Sequence, residues 1–225
     1  MISKIEAGES KLQEKDADKI DRAWELGDHL GRIIRLAKSR HDSDWGEKIN
    51  AIAEVATQAR IWSLGWVPAL FQTSEYARAA FLAAKRADAE EAVQARIRRQ
   101  EMLQRTPPPL VRAIIDRSAL ELPVGGPEVH RAQLERLIAM AADFTIRVVE
   151  LRAGPHDGRD GSFLIYTTPD GLDHPYTSTV GPGRLIEDPG EIAGYRTSFD
   201  RISDKALNEV DSLAVLHKIR EGIDG

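Results

Sequence analysis

Apolar positions along this chain recur first at helical spacing and later at alternating spacing. Ile20, Trp24, Gly27, Leu30 and Ile34 share one face of a stretch over residues 13–40, which predicts a helix. Ahead of it, Ile2 and Ile5 followed by Ala7-Gly8 look like the last turn of another helix. Asp42 or Ser43 is placed to cap a helix over residues 45–61, with Ile49, Ile52, Ala53 and Ala56 inward. The run Trp62-Ser63-Leu64-Gly65-Trp66-Val67-Pro68 breaks it. Thr73 or Ser74 then caps a helix to about Lys85. Asp88 opens another to about Gln104, ended by Thr106-Pro107-Pro108-Pro109.

From Leu110 the pattern changes. Residues 110–116 are apolar and partly β-branched, and Phe144 to Val148 alternates strictly, so both predict strands. Between them Leu134, Leu137, Ile138 and Ala141 return to helical spacing. Further strands are expected over residues 162–167 and 175–180, with a short last one at Leu185-Ile186, before helices over 190–202 and 208–222. Helices followed by strands mixed with helices predict an α+β fold, mostly helical, with a small antiparallel sheet of about four strands packed under helices.

Charge and composition narrow the chemistry. The 31 basic and 36 acidic side chains leave a net charge of −5. Residues 1–40 are balanced, so the basic face of a nucleic-acid binder is missing. Cysteine is absent, which excludes disulfides, thiol nucleophiles, Cys-ligated zinc and iron–sulfur clusters. Apolar runs stay below the ~18 residues of a membrane span, and the first residues lack a signal-peptide core, so a cytoplasmic protein without membrane contact is expected. Dinucleotide, phosphate-loop, zinc-protease and nucleophile-elbow motifs are missing, and the six histidines show no ligand spacing. Neither a cofactor nor a metal is expected.

Three segments carry a likeness. Val67-Pro68-Ala69-Leu70-Phe71-Gln72-Thr73-Ser74-Glu75-Tyr76-Ala77-Arg78-Ala79 resembles the start of the C-terminal domain, of unknown function, in actinobacterial XRE-type helix-turn-helix regulators. Residues 96–103 and 124–134 resemble later parts of that domain in the right order, as does the spacing from Gly154 to Gly161-Ser162-Phe163. In that family a helix-turn-helix precedes the domain, and its recognition helix ends in a run similar to Ile2-Ser3-Lys4-Ile5-Glu6-Ala7-Gly8. The resemblance implies that residues 1–40 are a remnant of that region with connecting helices, and that residues 41–225 form a regulator-like ligand-pocket domain. The part that reads base edges would precede Met1, so either the true start lies upstream or DNA binding has been lost. Two acidic positions of the family pattern read otherwise here, as Asp116-Arg117-Ser118-Ala119-Leu120 and Tyr176-Thr177-Ser178.

Candidate site residues follow from chemistry. His156 beside Asp157, in a glycine-rich loop, is the best acid or base. Tyr76 or Tyr176 could donate a proton, and Gln72 with Arg99 could orient a carbonyl. Trp62, Trp66, Phe71, Gln100, Phe163 and Tyr166 are candidate substrate contacts. Each has a plainer explanation: a cap contact and packed aromatic for Gln72 and Tyr76, ion pairs to Glu75, Asp88 or Glu91 for Arg96 and Arg99, core packing for the aromatics.

Two functions remain open. One is a helix-turn-helix regulator or its effector-sensing domain. The other, preferred, is a pocket protein of regulator descent that acts as a cofactor-independent natural-product cyclase on a polyketide-like chain, by dehydration or conjugate addition. The resemblance supplies a precedent for such recruitment. The expected partner is a small-molecule substrate or effector, without nucleic acid on its own. A homodimer through Ile20, Trp24 and Ile34 is a further expectation.

Overall fold

The computed structural model describes residues 12, 14–24, 26–32, 45–177 and 183–223. The chain divides into two compact units, residues 1–44 and 45–225. In the first, α1 (Glu14–Ala23) buries Ala17 and Asp21, while Trp24 is 71% exposed. The Asp21 carboxylate accepts the backbone N–H groups of Leu30 and Gly31, each at 3.0 Å, and so satisfies amides beyond the helix end. The helix expected to reach residue 40 stops at Ala23, and Gly27 takes a φ of 64°, which glycine adopts without strain. Residues 2–8, Ile34, Asp42 and Ser43, all invoked above, lie outside the described residues.

The second unit runs α2 (Trp45–Val55), β1 (Gln58–Ser63), α3 (Ser74–Ala83), α4 (Ala89–Gln100), β2 (Leu110–Asp116), α5 (Arg117–Glu121), α6 (Pro127–Met140), β3 (Thr145–Val149), β4 (Phe163–Thr167), β5 (Asp173–Thr177), β6 (Arg184–Leu185), α7 (Pro189–Ser203) and α8 (Glu209–Glu221). The strands form one six-stranded sheet in the order β3-β2-β1-β4-β5-β6. β1, β2 and β3 are parallel, whereas β4, β5 and β6 pair antiparallel.

This mixed sheet corrects the expectation of a small antiparallel sheet of about four strands. The error begins at β1. The helix expected over residues 45–61 ends at Val55, and Gln58–Ser63 is the central strand instead. Its run Ala59, Ile61, Trp62 is buried on both faces, so it lacks the clean alternation of a half-solvated strand and reads as a continuation of the helix before it. The parallel pairing was equally hidden, because β1 meets β2 only after the α3–α4 crossover.

Side chains leave the two faces of the sheet into separate cores. One face carries Ala59, Ile61, Val111, Ala113, Ile115, Val148 and Tyr166 beneath residues of α2, α3, α6 and α8. The other carries Trp62, Ile114, Val149, Phe163 and Ile165 against Phe199 and Ile202 of α7. Polar ties hold α7 in place. Arg147 of β3 donates to the carbonyls of Ser203, Ala206 and Leu207 and to Ser203 Oγ, at 2.7–3.1 Å. Arg196 of α7 pairs with Asp173, which also takes Arg60 and Thr167, each at 2.6 Å. Thr73, Asp188 and Asn208 cap α3, α7 and α8 through their side-chain oxygens. No described helix is long and apolar enough to cross a membrane.

Candidate functional site

Residues 67–76 form a bend whose backbone groups are satisfied by side chains from three elements. Gln72, buried, donates Nε2 to the Val67 carbonyl at 2.7 Å and accepts from Arg96 Nη1. Gln100 at the end of α4 donates to the carbonyls of Ala69 and Gln72, both at 2.9 Å, and accepts from Arg136. Gln133 of α6 accepts the Thr73 N–H and donates to the Phe71 carbonyl, both at 2.8 Å. A bend with few neighbouring strands would leave these groups orphaned, and three glutamines pair them instead. Tyr76 is fully buried, its hydroxyl accepting the Val67 N–H at 3.2 Å, and burial raises its pKa. Phe71 is buried against Phe144, with ring centroids 5.9 Å apart. The motif that carries the family likeness is therefore a hydrogen-bonded clamp. Gln72 and Gln100 also reach the wall of an open groove of about 900 Å³ shared with Arg136 and Phe144.

Arg96 and Arg99 part company. Arg96 lies over the Phe81 ring, 4.2 Å from its centroid. Burial, with the like charges of Arg99 and Arg86, brings its pKa down to about 10. Arg99 turns the other way, donating Nε to Asn50 Oδ1 at 2.8 Å, into a cleft between α2 and the end of α4.

A second polar cluster stands where β1 and β2 end and β4 begins. Trp62, fully buried, donates Nε1–H to the Gly158 carbonyl at 2.8 Å. Its indole meets the His156 ring edge-on, centroids 5.3 Å apart. The Gly158 N–H in turn donates to His156 Nδ1 at 3.2 Å. In the neutral ring the proton then sits on Nε2, and that N–H is sealed from solvent with no acceptor among the described residues. Burial, then Arg159, lowers the His156 pKa, against the carboxylates of Asp116 and Asp157. Asp116, fully buried at the end of β2, caps α5: its Oδ1 accepts from Ser118 N at 3.0 Å and Ser118 Oγ at 2.5 Å. Its Oδ2 makes no hydrogen bond among the described residues and lies 3.5 Å from the guanidinium of Arg159.

The four candidate catalytic residues do not come together. His156 joins Trp62 and Asp116; Tyr76 sits in the clamp; Arg99 lines the α2–α4 cleft. Tyr176 stands on β5 with its hydroxyl against Gly183, where a Cβ would lie 2.0 Å from the oxygen. Among the substrate candidates, Phe163 shares the Trp62 face and packs edge-on with Tyr195 at 5.2 Å. Tyr166 lies on the opposite face, fully buried, and Trp66 is 42% exposed. Asp116, Arg159, Gln133 and Arg136 were not singled out as site residues. Asp116 carried a sequence signal, a carboxylate closing the apolar run Ala113-Ile114-Ile115, and Gln133 lay within the segment 124–134 that carries the resemblance. Arg117, at the altered acidic position, pairs with Glu121 and Glu150. Ser178, at the other, lies outside the described residues.

Compared with known proteins, residues 48–218 match the family model described as a domain of unknown function, DUF5753. No curated protein and no solved structure matches the chain.

Proposed function

The chain belongs to the DUF5753 family, and from that membership we propose that residues 45–225 are a small-molecule effector-binding domain of XRE-type regulator descent, with its ligand site at the carboxyl ends of β1 and β2. One observation carries the proposal. His156 Nε2–H and Asp116 Oδ2, a buried donor and a buried acceptor in the same cluster, both lack hydrogen-bond partners among the described residues, Asp116 Oδ2 keeping only its 3.5 Å ion pair with Arg159. Leaving such a group unpaired costs roughly 1–3 kcal/mol, which a ligand group able to accept and donate would recover. The position supports the same reading, since open sheets with parallel strands bind ligands outside the strands' carboxyl ends. A hydroxyl or primary amide has the required pair of functions, and Arg159, 41% exposed at its side chain, is the cover it would displace. Thermal-shift measurements with a panel of hydroxylated, amide, carboxylate and amine compounds test this. A hydroxyl or amide compound should raise the Tm of the wild type and leave Asp116→Asn and His156→Ala unmoved. Equal shifts in all three proteins, or none in any, would end the reading.

The cyclase is the second reading, and His156 is what favours it. With Nδ1 engaged by Gly158, the neutral ring can donate a hydrogen bond from Nε2 to a carbonyl oxygen but can take a proton only by surrendering the bond at Nδ1. Asp116 would thus take the α-proton and return it to the leaving hydroxyl or the closing ring, while His156 Nε2–H holds the substrate carbonyl oxygen, without a cofactor. Turnover of a β-hydroxy or enone polyketide-type thioester, lost in both Asp116→Asn and His156→Ala, is the expected result. Unchanged turnover in either variant removes that residue's role.

A further inference from the structure

The cleft between α2 and the end of α4 is separate from the strand-end cluster and has the properties of a binding site in its own right. It encloses about 450 Å³, within the range of small-ligand pockets. Its floor is apolar, made by Ala53, Ala95 and Met102, of which Ala53 and Met102 are buried. Its rim is charged: three arginines, Arg98, Arg99 and Arg105, stand against Glu54 and Glu101, which leaves a net positive charge of one.

The arginines differ in what occupies them. Arg105 is fully engaged, both terminal nitrogens donating to the Glu54 and Ala56 carbonyls at the end of α2. Arg99 gives only Nε to Asn50, so its two terminal nitrogens make no hydrogen bond or ion pair among the described residues. The bond to Asn50 fixes the plane of the guanidinium, which presents a forked pair of donors over the apolar floor. Beneath the helices, the Tyr166 hydroxyl is buried with no partner among the described residues. Burial pushes its pKa up to about 12, and the charge of Arg99 reaches it. An oriented fork above an apolar floor, with one net positive charge, is complementary to a single carboxylate on an apolar body. A doubly charged phosphate would face Glu54 and Glu101 with its excess charge.

We infer that this cleft binds a monocarboxylate with an apolar body, the carboxylate forked on Arg99 and the body lying on Ala53, Ala95 and Met102. Octanoate is the probe, with octylammonium of equal length and opposite charge as the control. In isothermal titration calorimetry on the whole chain, octanoate binds one to one and octylammonium does not. Arg99→Gln weakens octanoate binding tenfold or more at unchanged circular dichroism, and Arg99→Lys keeps part of it. Glu101→Gln, a rim substitution that leaves the fork untouched, strengthens binding and keeps the test open should Arg99→Gln fail to fold. Absence of octanoate binding to the wild type overturns the inference. So does binding that Arg99→Gln leaves within twofold, or equal binding of octylammonium.

Discussion

At Gly158 a single missing carbon organises the strand-end loop. A Cβ there would lie 2.5–2.7 Å from three atoms of the Trp62 indole, a ring fully buried and unable to retreat. Gly158→Ala should destabilise the protein by roughly 1–3 kcal/mol, the usual penalty of overpacking a filled core. The loss should appear in urea unfolding, together with a changed near-ultraviolet circular dichroism as the bond to the Gly158 carbonyl breaks. That closeness was not legible in the sequence. Residues 154–161 read as a turn cluster, and nothing local says that an indole from ninety-odd positions earlier comes to rest against it. The chemistry of His156 was legible as a type, a titratable ring in a glycine-rich loop. Its direction, a proton on Nε2 and not on Nδ1, came only from the Gly158 N–H.

Elements here are joined by polar side chains as much as by apolar faces. The glutamine clamp ties α3, α4 and α6 to one bend, and Arg147 ties the end of α7 to β3. Arg147→Ala removes four hydrogen bonds from the terminal carbonyls and hydroxyl around Ser203. Amide hydrogen exchange should therefore speed up in the last turn of α7 while β1 and β2 keep their protection. Uniform loss of protection across the sheet would contradict a local role. Caps and strands with strong local signals were readable: Thr73 caps α3, and Leu110–Asp116 and Thr145–Val149 are strands. β1 was not, because Ala59 and Ile61 suit either spacing and only the partner strands decide between them. The same ambiguity hid the site. Without β1 as a strand, no sequence argument brings Trp62 to the end of Asp116's neighbour.

Across the whole molecule, acid is the weak direction. Burial and Arg159 hold the folded-state pKa of His156 below its ordinary 6.5. Its contribution is therefore fully present above 6.5 and is lost as pH falls from there through the lowered folded-state pKa. Burial alone would raise Asp173, but the bonds from Thr167, Arg60 and Arg196 outweigh it and leave the carboxyl below the usual range, so its contribution disappears at still lower pH. The Tm should fall between pH 7.5 and pH 5.5 by more in the wild type than in His156→Gln. A further drop in the carboxylate range should be shallower in Asp173→Asn. Parallel pH profiles for wild type and variant would exclude either group as a source of the acid loss.

The place of β1 in the sheet bears on how the chain is made. Its first residue, Gln58, pairs with Leu110 on one side and Thr167 on the other. The central strand must therefore wait for partners about 50 and about 110 residues away, and such distant pairing folds slowly and leaves strand edges bare in the meantime. Each parallel strand has an arginine within its apolar run: Arg60 in β1, Arg112 in β2 and Arg147 in β3. A charge in the middle of an aggregation-prone segment discourages stacking with copies of itself. In the finished sheet Arg60 and Arg147 are anchored to Asp173 and to the end of α7. Two of the three residues that guard the nascent strands, Arg60 and Arg147, are thus ones that later fasten the folded sheet.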